Sequence, residues 1–104
     1  METREELAPV IEAVLFAAGY PVPYERLAEI TASELTLVRE AVTLLKEKYQ
    51  SDTFGIQIVE YAEDCQFCTK ESYEGYIREA LGIKQGGKLS NSSLLSVRVI
   101  IFFV

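Results

Sequence analysis

The spacing of apolar residues changes near the middle of this chain, and that change limits the folds open to it. Up to Tyr49 they recur every three or four positions, which puts them on one side of an α-helix. From Ile56 they alternate, which suits a strand with one face buried. Polar Ser51, Asp52 and Thr53 lie between the two regimes. A chain that spends its first half on helices and then turns to short strands is α+β, mainly α.

The individual elements follow from stop and start signals. Thr3-Arg4-Glu5-Glu6 reads as a capping box, followed by Leu7, Val10, Ile11, Val14, Leu15 and Ala18 at helical spacing and by Gly19 as the stop. Pro9 conflicts with a start at Thr3, so the reading allows either an irregular first turn or a helix that begins near Pro9. Tyr20-Pro21-Val22-Pro23 reads as a rigid connector, with Pro23 in the first position of a short second helix that carries Leu27, Ala28 and Ile30. Ser33 is expected to cap a third helix with the stripe Leu35, Val38, Val42, Leu45 and Tyr49, widened by Leu37, Ala41 and Leu44. Residues 56–61 and 65–69 read as a hairpin joined by Ala62, Glu63 and Asp64. Thr69 is placed as the cap of a fourth helix with Tyr73, Tyr76, Ile77, Ala80 and Leu81 inward and Gly82 as its end. This is the order of a winged helix-turn-helix: three helices, a two-stranded wing and a closing helix, over residues 1–82. Residues 83–88, with Gly86 and Gly87, read as a linker. Residues 89–104 begin something new.

Charge narrows the function. Every Asp and Glu lies at or before Glu79, so residues 1–83 hold sixteen acids against seven bases, a net charge of −9. A duplex-binding domain needs a basic stripe, because phosphate contacts supply most of its affinity. On the third helix, where a DNA reader would place its base contacts, Glu34, Arg39, Glu40, Lys46, Glu47 and Lys48 cancel in sign. Protein partners are the better expectation, with a winged-helix transcription regulator as the alternative. Catalysis is not expected: the chain has no His, no P-loop and no dinucleotide-binding glycine pattern. Cys65 and Cys68 invite a redox or zinc reading. On a strand, however, this odd spacing sends the two sulfurs to opposite faces, and two Cys without His fall short of four zinc ligands. No cofactor or metal is therefore expected. The run 99–104 is too short to span a bilayer, and no basic stretch precedes an apolar one at the start, so the cytoplasm is the expected compartment. The candidate interface residues are Tyr20, Tyr24, Val59 and Tyr61. The first two are expected as exposed aromatics, and the second two face outward on the wing if Ile56 and Ile58 face the core.

Several stretches carry a family resemblance. The run 11–21, Ile11-Glu12-Ala13-Val14-Leu15-Phe16-Ala17-Ala18-Gly19-Tyr20-Pro21, resembles the opening helix of the segregation and condensation protein B (ScpB) family. Leu27-Ala28-Glu29-Ile30 is similar to that family's short second helix. Gly55-Ile56-Gln57-Ile58-Val59-Glu60, Gln66-Phe67, Thr69-Lys70, Tyr73 and Tyr76-Ile77 resemble its wing and closing helix. Lys88-Leu89-Ser90 and Leu94 resemble the entry to its second winged-helix domain. The resemblance implies a non-enzymatic subunit that forms a homodimer and binds the kleisin ScpA, and through it SMC, in chromosome condensation and segregation. The chain departs from the family pattern at Tyr20 and Pro23, where polar residues are usual, and from Leu95 onward. Residues 89–104 are accordingly read as a truncated or divergent start of the second domain.

Overall fold

The computed structural model describes residues 2–82. The expected linker and the start of a second domain lie outside the described residues. The elements run α1 (Arg4–Ala18), β1 (Val22–Pro23), α2 (Tyr24–Thr31), α3 (Leu35–Lys48), β2 (Ile56–Glu60), β3 (Asp64–Thr69), a 3₁₀ turn (Glu71–Tyr73) and α4 (Glu74–Leu81). The fold is α+β and mainly helical, in the winged-helix order read from the sequence.

Helix α1 begins at Thr3 despite Pro9. The Thr3 hydroxyl accepts from the Glu6 amide at 3.1 Å, and Glu6 Oε1 accepts from the Thr3 amide at 3.2 Å, which is the expected capping box. Pro9 lies inside the helix, where it deletes one intrahelical bond. Leu7 and Ile11 on either side of it are fully buried, and their burial holds the backbone helical through the gap. Gly19 closes the helix at φ 73°, a left-handed conformation that costs glycine nothing.

The connector to α2 differs from its expectation. Val22 and Pro23 form a strand against Cys65 and Asp64 of β3, so the sheet has three antiparallel strands in the order β1-β3-β2, not the two of a bare wing. A proline fits here because β1 is an edge strand and needs no donor on its outer side. Pro23 is the residue before α2, not its first residue. Likewise α3 starts after Glu34, with no side-chain cap, while the Ser33 hydroxyl turns back to the Thr31 carbonyl at 3.2 Å.

The core joins Leu7, Ile11 and Leu15 of α1 to Leu27 of α2, to Val38, Ala41, Val42 and Leu45 of α3, and to Ile58 and Phe67 of the sheet. Leu35, placed in the stripe by spacing, is exposed at the helix start. In the hairpin, Ile58 pairs with Phe67 and Val59 with Gln66. Directly paired residues share a face. Ile56 and Ile58 are thus on the core side, which settles the register that alternation had left open, and Val59 is on the other.

Helix α4 departs most from its reading. Thr69 ends β3 rather than capping α4, and the 3₁₀ turn intervenes. No α4 residue is buried, and Tyr76, expected inward, is 74% exposed. The spacing was helical, but among the described residues the core is already closed by α1, α2, α3 and the sheet.

Candidate protein-interaction surface

Helix α1 is apolar on two opposite sides. With 3.6 residues per turn, Leu7, Ile11 and Leu15 share the inner side and are buried. Pro9, Ala13, Phe16 and, just past the cap, Tyr20 share the outer side, with Ala17 beside them. All five are exposed, Phe16 at 63% and Tyr20 at 57%. A surface helix normally turns charges to water. Here the stretch 7–24 carries one charged residue, Glu12.

Beside Phe16 lies a groove of about 280 Å³ lined by Pro9, Glu12, Ala13, Phe16, Tyr49, Ile56 and Phe67. Its floor is aromatic: the Tyr49 ring meets Phe54 edge-on at 4.7 Å and Phe67 at 5.2 Å. The Tyr49 hydroxyl donates to Glu12 Oε2, and Lys48 Nζ lies 3.7 Å from the same oxygen. Burial, then the hydrogen bond to Glu12 and the charge of Glu12, push the Tyr49 phenol up to about 12, so it stays a proton donor at any ordinary pH. The lone charge of the groove is therefore already held.

A second polar cluster sits where α2, α3 and β2 meet. The Tyr24 hydroxyl donates to Glu60 Oε2 at 2.5 Å, and Lys46 Nζ donates to Glu60 Oε1 at 3.2 Å. The Arg39 guanidinium lies 4.1 Å from the centre of the Tyr24 ring. Burial pushes the Glu60 carboxyl up, but the bonds from Tyr24 and Lys46 and the charges of Lys46 and Arg39 outweigh it, leaving the group below the usual range. The Tyr24 phenol is raised, first by burial and then by the Glu60 bond.

The four sequence candidates divide. Tyr20 and Tyr61 are exposed, Tyr61 at 42% with its hydroxyl donating to Gln66 Oε1 at 2.8 Å. Val59 is half-buried on the side of the sheet away from the core. Tyr24 corrects the expectation: it is only 1% exposed, because α2 turns its ring inward beneath Arg39 and Glu60 takes its hydroxyl. Nor do the rest form one run, since Tyr20 leads into edge strand β1 while Val59 lies in the opposite edge strand β2. Phe16 and the groove were missed from the sequence. The signal was present in apolar residues at 9, 13, 16 and 20, the positions opposite the buried stripe.

Neither the redox nor the DNA reading gains from the geometry. Cys65 and Cys68 are buried, form no disulfide with each other, and lie at alternate-face positions of β3. Burial, then the charges of Glu60 and Asp64, push the Cys65 thiol up to about 12, the reverse of an activated nucleophile. On α3, Arg39 is stacked on Tyr24, while Lys46 and Lys48 are paired with Glu60 and Glu12. These three α3 cations have partners within the fold. Among the described residues, no helix is long and apolar enough to cross a membrane.

Several known proteins are similar to this chain. Residues 9–102 match the family model described as segregation and condensation complex subunit ScpB. The chain is 32% identical over 101 residues to segregation and condensation protein B of Clostridioides difficile (strain 630), covering 95% of this chain and 56% of that protein. It is 37% identical over 92 residues to the protein of the same name from Caldanaerobacter subterraneus subsp. tengcongensis, covering 88% and 55%. The chain thus spans about half the length of the curated relatives it matches. Among solved structures it is similar to a dimer of the ScpB N-terminal domain complexed with ScpA peptide. The TM-score is 0.69 at 22% identity, covering 73% of this chain and 95% of that one. At that identity the likeness shows the winged-helix fold.

Proposed function

The chain belongs to the family of segregation and condensation complex subunit ScpB, and from that premise we propose that it is a non-enzymatic subunit that pairs with a second copy of itself and binds the kleisin ScpA. Through ScpA it joins SMC in condensing and segregating the chromosome, in the cytoplasm. Residues 1–82 form the first winged-helix domain, 83–88 a linker, and 89–104 the start of a second.

The observation that carries this reading is the outer side of α1. An acidic body that leaves Pro9, Ala13, Phe16, Ala17 and Tyr20 exposed on one helix suits a protein partner better than a phosphate backbone. Val59 and Tyr61 supply further apolar and aromatic area of the kind to which Tyr20 already contributes and which is enriched at interfaces. Two relatives bear the name segregation and condensation protein B, and a neighbour of the same fold was solved as a dimer with an ScpA peptide.

Light scattering of the chain alone and mixed with the cognate kleisin tests the proposal. The expected result is a dimer whose mass rises by bound kleisin. A chain that gains no mass at micromolar kleisin would overturn the kleisin role for this stretch of the family.

A further inference from the structure

Helix α4 is turned the opposite way from an ordinary surface helix. Its ion pair, Arg78 Nη2 to Glu74 Oε2 at 3.1 Å, joins two half-buried side chains. Tyr73, Tyr76 and Ala80 share another side at helical spacing, and all three are exposed, with Leu81 exposed at the end of the helix. A helix docked on a body normally turns its charges to water and its apolar residues inward. Among the described residues, no α4 residue belongs to the core. We propose that this outward side of α4 is the seat of the chain's own residues 97–104, which fold back over it across the segment 83–96. The inference concerns how the first winged-helix domain meets the chain that follows it. It depends on neither pairing nor kleisin binding.

Three observations select this occupant over an outside partner. The first is reach. Helix α4 ends at Gly82 and its eight residues span about 12 Å. The segment 83–96 follows directly and extends to roughly 46 Å at most, so it can run back along the helix with length to spare. Gly86 and Gly87 supply the backbone freedom for the reversal. The second is composition. Residues 97–104 carry one charge, Arg98, and are otherwise Val, Ile and Phe. Such a run left in water pairs with other chains, whereas Tyr73, Tyr76 and Leu81 offer it apolar cover. The third is charge. Over residues 71–81 Glu71, Glu74 and Glu79 outnumber Arg78, while residues 84–104 hold Lys84, Lys88 and Arg98 and no acid. Opposite signs draw the two together, and a second copy with its acidic body is repelled. An outside protein would also compete with a tethered segment whose effective concentration is on the order of millimolar.

The test follows thiol access in the full chain. Tyr76→Cys puts a thiol in the middle of the outward side of α4. Phe102→Asp with Phe103→Asp changes two neighbouring positions of the occupant, whichever of them faces the helix. The expected result is that the thiol of Tyr76→Cys reacts with a maleimide at least about tenfold faster once the two Phe substitutions are added. Cys65, inside the core, should stay unreactive in both proteins, which reports that the domain remains folded. A second measurement leaves both Phe residues in place. Tyr76→Cys with Ile101→Cys should close an intramolecular disulfide on mild oxidation, at an unchanged mass of 11.7 kDa. It should form at least about tenfold faster than the same bond from Glu29→Cys, an exposed position on α2. Equal maleimide rates with and without the Phe substitutions would overturn the proposal. So would a disulfide that forms as readily from Glu29→Cys as from Tyr76→Cys. A product found only at twice 11.7 kDa would make a second copy the occupant, and would overturn it equally.

Discussion

At Tyr24 a phenol, a carboxylate and two cations share one small volume, and each constrains the others. Glu60 accepts from Tyr24 and from Lys46, while Arg39 covers the Tyr24 ring. Removing the hydroxyl with Tyr24→Phe leaves the ring and its cation contact in place but takes one donor from a half-buried carboxylate. The expected cost is about 1–2 kcal/mol in urea unfolding at pH 7. The same cluster gives a pH dependence with a definite sign. The folded pKa of Glu60 is depressed, so its stabilisation is present above the unfolded glutamate value of about 4.3 and is lost as pH falls through the lower folded value. Glu60→Gln should therefore start less stable than wild type at pH 7 and lose less between about pH 5 and pH 3. Parallel curves for the two proteins would remove Glu60 from the acid limb. None of this was readable along the chain, because Tyr24 and Glu60 are 36 residues apart and the tyrosine read as exposed.

Pro9 is the main conflict at the level of elements. Its ring sits inside α1, where it removes one backbone bond and crowds the preceding turn. The helix persists because its start is fixed by the Thr3–Glu6 capping box and its flanks by buried Leu7 and Ile11. Pro9→Ala is expected to stabilise the folded chain by about 1–2 kcal/mol, the helix gain being reduced by a more flexible unfolded state. A thermal midpoint that falls in the variant would show that the groove-side packing of the proline ring matters more than the lost bond. Helix ends were legible where a glycine made them so, at Gly19 and Gly82, while at Thr3 the capping box was legible but Pro9 left the start open. They were misread at Ser33 and Pro23, where the residue types suit several neighbouring positions. The strand at Val22–Pro23 had no local signal at all, since two residues become a strand only through the partners Cys65 and Asp64.

For the whole molecule, the uneven charge matters most. Two bodies of like sign associate against their own field, so added salt should tighten the proposed dimer. Its dissociation constant is expected to fall between 50 and 500 mM NaCl, measured by sedimentation. A rise across that range would indicate that ion pairs, not apolar contact, hold the copies together. The sequence by itself determined the helix-rich winged order, the hairpin and the acidity of the body. Those follow from local periodicity, caps and composition, which need no knowledge of what lies across the core. Only the tertiary structure decided that Tyr24 is buried, that Tyr76 is not, that β1 completes the sheet and that Phe16 stands beside an aromatic groove. Each depends on which distant segments occupy the same space. Spacing along a chain fixes which side of a helix a residue lies on, but not whether another element covers that side.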